Sequence, residues 1–280
     1  MMRLDVMKTY KLYIGGAFPR SESGRSYELK DKKGNFVANP ALASRKDLRD
    51  AVVAARSAFN GWSHATAFNR GQILYRIAEM LEGRSAQFVE EISALEGVGE
   101  TAAKKQVQQA IDLWVWYAGW CDKISTSAGG TNPIAGPYYN FTIPEPLGVV
   151  GVIAEEKESL LGLTRGLAPV IAGGNTAVLI ASESAPLPAI TLAEVLATSD
   201  LPGGVVNILT GKRSELVPWL AGHMEVDGID VSGAAKSLDG EIKRAGSENL
   251  KRIHRFNKDV SPTRMLSFME YKTVWHPIGI

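Results

Sequence analysis

The chain has 280 residues, of which 45% are hydrophobic and 22% are charged, and its 31 basic and 30 acidic residues leave a formal net charge of +1. This composition is typical of a globular protein of one or two domains, and it excludes a chain that is mainly disordered, collagen-like or coiled coil. The balanced charge also argues against a dedicated nucleic-acid-binding protein, which would carry a basic excess.

The single cysteine, Cys121, cannot form an intrachain disulfide or a multi-cysteine metal site. Residues 1–10 contain scattered charges and no apolar core of signal-peptide length. The longest smooth apolar run, residues 147–154, is too short to span a bilayer. We therefore expect a soluble, cytoplasmic protein.

The first half of the chain has the pattern of a helical region. It begins with a hairpin-like entry at residues 13–18 and a polar stretch, after which Ser44 and Asp47 have the spacing of a capping box. Apolar residues then recur at helical spacing in four segments. The segments carry, in order, Leu48, Val52, Ala55 and Phe59; Ile73, Leu74, Ile77, Ala78 and Leu81; Phe88, Val89, Ile92 and Leu95; and Ile111, Trp114, Val115 and Ala118.

From residue 149 onward, continuous apolar strands alternate with helices, which indicates a parallel sheet covered on both faces. The predicted fold is α/β, a Rossmann-like doubly wound parallel sheet preceded by N-terminal helices. Ligands in such folds bind at the carboxyl ends of the strands. The predicted strands are 149–153, 176–180, 205–209 and 228–231, and the helices between them are 160–171, 188–197 and 215–221.

Familiar catalytic and nucleotide-binding motifs are missing from the sequence. No G-x-G-x-x-G follows a strand, and Gly211-Lys212 lacks the remaining residues of a phosphate-binding loop. Residues 162–166 have the spacing of a nucleophile elbow, but they lie inside a predicted helix. The four histidines show no pair at metal-ligand spacing, so we predict no metal site.

Three features admit both a functional and a structural interpretation. Cys121 is either a nucleophile or a small half-buried thiol, and we favour the thiol. Trp114, Trp116 and Trp120 form either a ligand-stacking platform or, as we favour, the buried face of a helix. The seven basic residues between 236 and 258 form either a phosphate-binding patch or a solvated helix face, and the interspersed acidic residues favour the second.

Several segments between residues 10 and 253 together form a specific combination of motifs. Residues 13–16 read YIGG, and residues 144–154 read PEPLGVVGVIA. Residues 172–176 read AGGNT, and residues 201–211 read LPGGVVNILTG. In this combination the chain resembles the aldehyde dehydrogenase superfamily. The resemblance implies the dinucleotide-binding domain of that family.

The positions at which the family carries its catalytic groups are replaced in this sequence. After residue 154 the family has Pro-Trp-Asn, whose asparagine helps to hold the oxyanion, whereas this chain has Glu155-Glu156-Lys157. The general-base glutamate of the family falls at Phe256, and Cys121 lies where the family usually has alanine. Because thioester chemistry needs a thiol, an oxyanion donor and a base, we predict no catalytic residue.

The positions that contact the cofactor in the family are retained only in part. The strand end Lys-Pro-Ala-Glu, which contacts the cofactor's ribose, becomes residues 180–183, so Glu183 stays while Ile180 replaces the lysine. The turn Gly-Ser-x-x-x-Gly keeps Gly233 and has Leu238 in place of its second glycine. We therefore expect Glu183 and Gly233 to be vestigial cofactor-binding residues, with NAD bound weakly or not at all.

The resemblance also implies a domain arrangement. Residues 1–137 and 148–258 would form the dinucleotide-binding-like domain, and residues 138–147 and 266–280 would form protruding oligomerisation strands. Only 24 residues follow Phe256, and they resemble the family's closing Tyr-x-x-x-Lys-x-Val strand. The catalytic domain would thus be excised, as in the noncatalytic second module of class-16 aldehyde dehydrogenases. In the family, the oligomerisation strands extend the catalytic-domain sheet of a neighbouring subunit.

These departures predict a noncatalytic protein that acts as a structural or regulatory partner of a full-length aldehyde dehydrogenase. It would form a homo- or hetero-oligomer and would bind neither nucleic acid nor membrane. Two alternatives stay open. One is a nucleotide-binding module that senses NAD through Glu183 and Gly233. The other is an NAD-dependent aldehyde oxidoreductase that uses Cys121.

Overall fold

The computed structural model describes residues 7–279. Residues 1–6 and 280, which belong to the predicted first domain and last strand, lie outside the described residues. The strands are β1 (Thr9–Tyr10), β2 (Leu29–Lys30), β3 (Phe36–Pro40), β4 (Gly130–Thr131), β5 (Tyr138–Pro146), β6 (Val149–Ile153), β7 (Thr176–Ile180), β8 (Val206–Leu209), β9 (Gly228–Asp230), β10 (Arg252–His254) and β11 (Met269–Pro277).

The helices occupy both halves of the chain, and a short 3-10 turn at Lys236–Leu238 precedes the ninth of them. They are α1 (Arg45–Ser63), α2 (Ala67–Gly83), α3 (Ser85–Glu96), α4 (Glu100–Trp120), α5 (Ile124–Ala128), α6 (Leu161–Ala172), α7 (Leu187–Ala197), α8 (Arg213–Gly222), α9 (Asp239–Ser247) and α10 (Thr263–Leu266). Within residues 7–279, no helix combines the length and apolar character needed to cross a membrane.

The predicted capping box begins α1. The Ser44 hydroxyl accepts a hydrogen bond from the backbone N–H of Asp47 at 3.2 Å, and the Asp47 carboxylate accepts one from the Ser44 N–H at 2.8 Å. These two bonds satisfy N–H groups that a helix start otherwise leaves without partners. The sequence prediction of this helix start is confirmed.

The five-stranded sheet is parallel and has the strand order β10-β9-β6-β7-β8. All residues of β6, β7 and β8 are buried, which explains their uninterrupted apolar sequence. The chain runs outward from β6 through β7 to β8, then crosses back to β9 on the other side of β6. The order therefore reverses between β6 and β9, which is where doubly wound sheets bind ligands.

The structure corrects several sequence expectations. The polar stretch before residue 40 contains β1 to β3, which form a separate three-stranded sheet, and β10 adds a fifth strand to the parallel sheet. Of the three tryptophans on α4, only Trp114 is fully buried. Cys121 is 2% exposed, so the thiol is buried rather than half-buried.

A ribbon of two long strands leaves the body at one end. β5 and β11 pair antiparallel over nine residues each, and β4 pairs with the other edge of β5. The base of the ribbon is anchored in the core, where Phe268 is 0% and Met269 is 3% exposed. The Phe268 carbonyl accepts hydrogen bonds from the Leu147 N–H at 3.2 Å and from Asn175 Nδ2 at 3.0 Å. Between β10 and β11 the chain forms only the single turn of α10.

Candidate functional site

The turns that follow β6 and β9 are in direct backbone contact at the point where the strand order reverses. The Gly233 N–H donates to the Ile153 carbonyl at 3.1 Å. A Cβ atom on Gly233 would lie 2.1 Å from the Ala154 carbonyl oxygen. Gly233 is therefore required by the close approach of two backbone segments, a demand that only glycine meets.

Arg213, the first residue of α8, fills the crevice above this contact. Its Nη1 donates to the Gly233 carbonyl at 3.0 Å, its Nη2 to the Ala154 carbonyl, and its Nε and Nη2 to the Ala181 carbonyl at 3.2 Å each. These carbonyls follow β9, β6 and β7, so one guanidinium links the carboxyl ends of three parallel strands. The side chain is only 12% exposed.

A carboxylate accompanies this guanidinium. Glu156 Oε1 lies 2.6 Å from Arg213 Nε, and the Glu156 side chain belongs to the loop between β6 and α6. Burial lowers the pKa of Arg213, whereas Glu156 and Glu183 raise it. The ion pair therefore keeps a charge inside the crevice that burial alone would disfavour.

Glu183 lies beside the same crevice and is bound by groups of the α8 start. Its carboxylate accepts hydrogen bonds from Lys212 Nζ at 2.7 Å and from the Arg213 backbone N–H at 3.2 Å. The hydrogen bond to Glu183 raises the pKa of Lys212. The structure thus brings the two predicted cofactor residues, Glu183 and Gly233, to one site, where Arg213 contacts both.

Ile180 and Leu238, at the positions expected for the family's lysine and second glycine, both have structural roles. Ile180 is 0% exposed and packs in the core on one face of the sheet. Leu238 ends the 3-10 turn at Lys236–Leu238, and its partly buried side chain packs against the same core. Neither side chain offers a polar group to a ligand.

Phe256, at the position of the expected general base, packs in an aromatic cluster. Its ring centroid lies 5.5 Å from that of His254 and 6.0 Å from that of Phe268, while the Arg264 guanidinium lies 4.9 Å from it. Arg264 also faces the buried carboxylate of Asp230, with Nε 3.7 Å from Oδ2. Burial raises the pKa of Asp230, and Arg264 and Ser232 oppose that rise.

Cys121 has the environment of a structural thiol. Its Sγ lies 3.5 Å from the Tyr117 carbonyl, one helical turn earlier. Burial raises the pKa of Cys121 to about 11, although the nearby Arg70 lowers it. Because the thiolate is the nucleophile, this environment is unfavourable for covalent catalysis.

The basic stretch between residues 236 and 258 is divided among separate internal partners. Arg255 pairs with Asp239 at 2.5 Å, and Lys258 Nζ lies 2.7 Å from a Glu158 oxygen. Burial lowers the pKa of Lys251 to about 8, and its Nζ donates to the Asn249 side chain at 2.6 Å. This arrangement favours surface ion pairing over one phosphate-binding patch.

Sequence reasoning missed the residue that dominates the crevice. In the sequence, Arg213 only follows Gly211-Lys212, a pair that lacks the remaining residues of a phosphate-binding loop. Arg213 is separated from the end of β8 at Leu209 by one short loop. This position is a signal for the ligand-binding edge of a parallel sheet, but it does not identify the crevice in which the side chain lies. Among residues 7–279, no group of three or more His, Cys, Asp or Glu side chains could hold a metal ion.

Comparisons with known proteins agree with the fold. Residues 19–255 match the model of the aldehyde dehydrogenase family. Cytosolic 10-formyltetrahydrofolate dehydrogenase of Mus musculus is 34% identical over 263 residues, which are 90% of this chain and 28% of that protein. The mitochondrial benzaldehyde dehydrogenase of Antirrhinum majus is 32% identical over 87% of this chain and 46% of its own length.

A solved structure shows the same relationship. The NAD⁺ complex of aldehyde dehydrogenase from Bacillus cereus superposes with a TM-score of 0.82 at 26% identity, over 88% of this chain and 50% of that one. The chain therefore spans 28% of the 10-formyltetrahydrofolate dehydrogenase and half of the solved enzyme.

Proposed function

This chain belongs to the aldehyde dehydrogenase family, and we propose that it is a noncatalytic member that acts as a structural or regulatory partner of a full-length aldehyde dehydrogenase. The observation that carries the proposal is that Arg213 and Glu156 fill the crevice where this fold binds ligands. We expect a dinucleotide to bind weakly or not at all, because the ion pair of Arg213 and Glu156 occupies this crevice.

The state of the catalytic positions supports the same proposal. Phe256 has no group that could accept a proton, and its ring is engaged by His254 and Arg264. Lys157 stands where the family has its oxyanion asparagine. The one cysteine, Cys121, is buried on the helical side of the molecule. No aldehyde oxidation is therefore expected from the chain alone.

The partner role rests on the ribbon of β5 and β11. β11 lies at the edge of its sheet, and within residues 7–279 no strand pairs with its outer side. The side chains of Tyr271, Val274 and Trp275 are 51%, 39% and 59% exposed. An open edge with exposed apolar side chains is suited to β-augmentation by a partner sheet. A catalytic subunit would supply that sheet, as the family's assembly implies.

Copurification tests the partner role. The tagged chain is co-expressed with a full-length aldehyde dehydrogenase from the same genome, and we expect the enzyme to be captured with it. Trp275→Ala should reduce capture at least several-fold, whereas Phe68→Ala, which removes a 72% exposed ring on α2, should leave it unchanged. If the chain forms only homodimers and captures no such enzyme, the proposal is wrong and a self-paired scaffold replaces it.

An NAD-sensing module is the second candidate, because Glu183 and Gly233 meet at one crevice. Calorimetric titration with NAD distinguishes the NAD-sensing module from the noncatalytic partner. We expect weak binding or none, since Ile180 provides no charge-assisted hydrogen bond of the kind that contributes about 1.5–3 kcal/mol. A micromolar dissociation constant would favour the sensor over the noncatalytic partner.

A further inference from the structure

The carboxylate of Glu156 is bound in the manner of a ligand. Its oxygens accept hydrogen bonds from the Ser182 hydroxyl at 2.9 Å, the Ser184 hydroxyl at 3.0 Å, and the backbone N–H groups of Glu183 and Ser184 at 3.1 and 3.3 Å. With Arg213 Nε at 2.6 Å, five donors converge on one side chain. The Glu156 side chain is 40% exposed, so these five donors hold a carboxylate that solvent still reaches.

The donors and the carboxylate come from separate segments of the chain. The donors belong to the turn after β7, residues 182–184, and to Arg213 at the start of α8, whereas Glu156 belongs to the loop after β6. We call these donors the cradle: Ser182, the N–H of Glu183, Ser184 and Arg213. The cradle residues lie outside the loop that carries Glu156. Removing the Glu156 carboxylate therefore leaves all four donors in the chain.

The cradle has the composition of an anion-binding site. Consecutive backbone N–H groups in a turn form a concavity that holds anions, and an arginine beside it supplies charge-assisted bonds to a carboxylate. Ser182 is 2% exposed and its hydroxyl also accepts a hydrogen bond from the Ala185 N–H at 3.0 Å, which fixes its position. Arg213 is fixed by the three carbonyls at the strand ends.

We propose that this crevice is a binding site for a small carboxylate, and that the Glu156 side chain is its resident intramolecular ligand. The Glu156 side chain then occupies the crevice, and the anion-binding groups of the crevice are all retained. Removing the Glu156 carboxylate opens the site to an external carboxylate. This inference goes beyond the proposed function, which would stand even if the crevice could hold no external anion.

Chemical rescue of the full chain tests the proposal, with acetate as the probe. Glu156→Ala leaves the cradle donors without their acceptor, so its melting temperature should fall below that of the wild type. Sodium acetate should then raise the melting temperature of this variant by about 2–4 °C in a saturable manner. Sodium chloride at equal ionic strength should not reproduce this rise.

Two variants serve as controls. Glu155→Ala changes the neighbouring carboxylate, which pairs with Arg165 and Lys258 and contacts no cradle group. It should show no acetate-specific response, and neither should the wild type, whose site is filled. The double variant Glu156→Ala, Arg213→Ala should lose the acetate response because the charged donor is gone.

An acetate-specific rise in melting temperature that is confined to Glu156→Ala supports the proposal. The absence of that rise, or an equal rise in Glu155→Ala and in the wild type, overturns it. If Glu156→Ala does not fold in chloride, the yield of refolded protein becomes the measurement. Recovery in acetate but not in chloride then supports the site, and failure in both overturns it. Copurification of the wild-type chain with a catalytic subunit is independent of all these results.

Discussion

At the scale of single residues, Gly233 is required by the close approach of two backbone segments. The Cβ of an alanine there would lie 2.1 Å from the Ala154 carbonyl oxygen and 2.3 Å from its carbon, both backbone atoms that cannot rotate away. We expect Gly233→Ala to lower the free energy of unfolding by about 3 kcal/mol. Urea denaturation followed by circular dichroism measures the change.

Gly240 provides the matched control for Gly233. It lies in α9, and a Cβ there would meet nothing within 4 Å. Gly240→Ala should therefore stabilise the protein slightly, by up to about 1 kcal/mol, because alanine favours helix. If both alanine variants were equally stable, the close approach of the turns after β6 and β9 would not be the reason for Gly233.

Cys121 leads to a prediction about reactivity. Burial raises the pKa of its thiol to about 11, so only about one thiol in a thousand is ionised at pH 8. We expect iodoacetamide to label native protein at least a hundred-fold more slowly than protein unfolded in urea, as measured by mass spectrometry. Rapid labelling of the native chain would contradict this and would reopen the possibility of a nucleophilic Cys121.

At the scale of elements, carboxylates of the loop between β6 and α6 make the stability of the fold depend on pH in the acidic range. Burial raises the pKa of Glu156, but Arg213 and the hydrogen bonds from residues 182–184 outweigh it, so the net pKa is lowered. Burial also raises the pKa of Glu158, but Lys258 and Arg165 outweigh it, so the net pKa of Glu158 is lowered. A lowered carboxyl pKa stabilises the fold above the unfolded value of about 4.3, and this stabilisation is lost as the pH falls further.

Melting temperatures measured between neutral and acidic pH test this expectation. The wild type should lose stability as the pH falls below about 4.3, and Glu156→Gln should show a shallower decline because its side chain does not titrate. Burial raises the pKa of Asp230, which contributes in the opposite direction and is common to both proteins. Parallel curves for the two proteins would exclude a contribution from Glu156.

The same scale shows what the sequence could predict. The strands of the parallel sheet are buried on both faces, so their apolar runs identified β6, β7 and β8 within one residue. β1 and β2 have two residues each and no apolar run, so no periodicity could reveal them. Arg213 could not be placed in the crevice from pattern alone, because its contacts depend on the strand order of the folded sheet.

At the scale of the whole molecule, the C-terminal segment has two separable parts. Residues up to 269 complete the core, since Met265, Phe268 and Met269 are 0%, 0% and 3% exposed. From residue 271 to 279 every described side chain is exposed. The first part stabilises the body, whereas the second presents the open edge of β11. A single truncation before residue 266 would therefore remove both parts, and its effect on folding could not be distinguished from its effect on assembly.

Two truncations separate these contributions. Deleting residues 271–280 should leave the melting temperature within a few degrees of the wild type, because Phe268 and Met269 stay in the core, and it should abolish association with any partner. Deleting residues 266–280 removes the Phe268 ring, whose loss costs about 3–5 kcal/mol. It also removes the carbonyl that binds Asn175. The chain without residues 266–280 should aggregate or unfold. Light scattering coupled to gel filtration should show the chain without residues 271–280 as a folded monomer. A well-behaved oligomer that survives the shorter deletion would rule out assembly through β11, because that deletion removes seven of its nine residues.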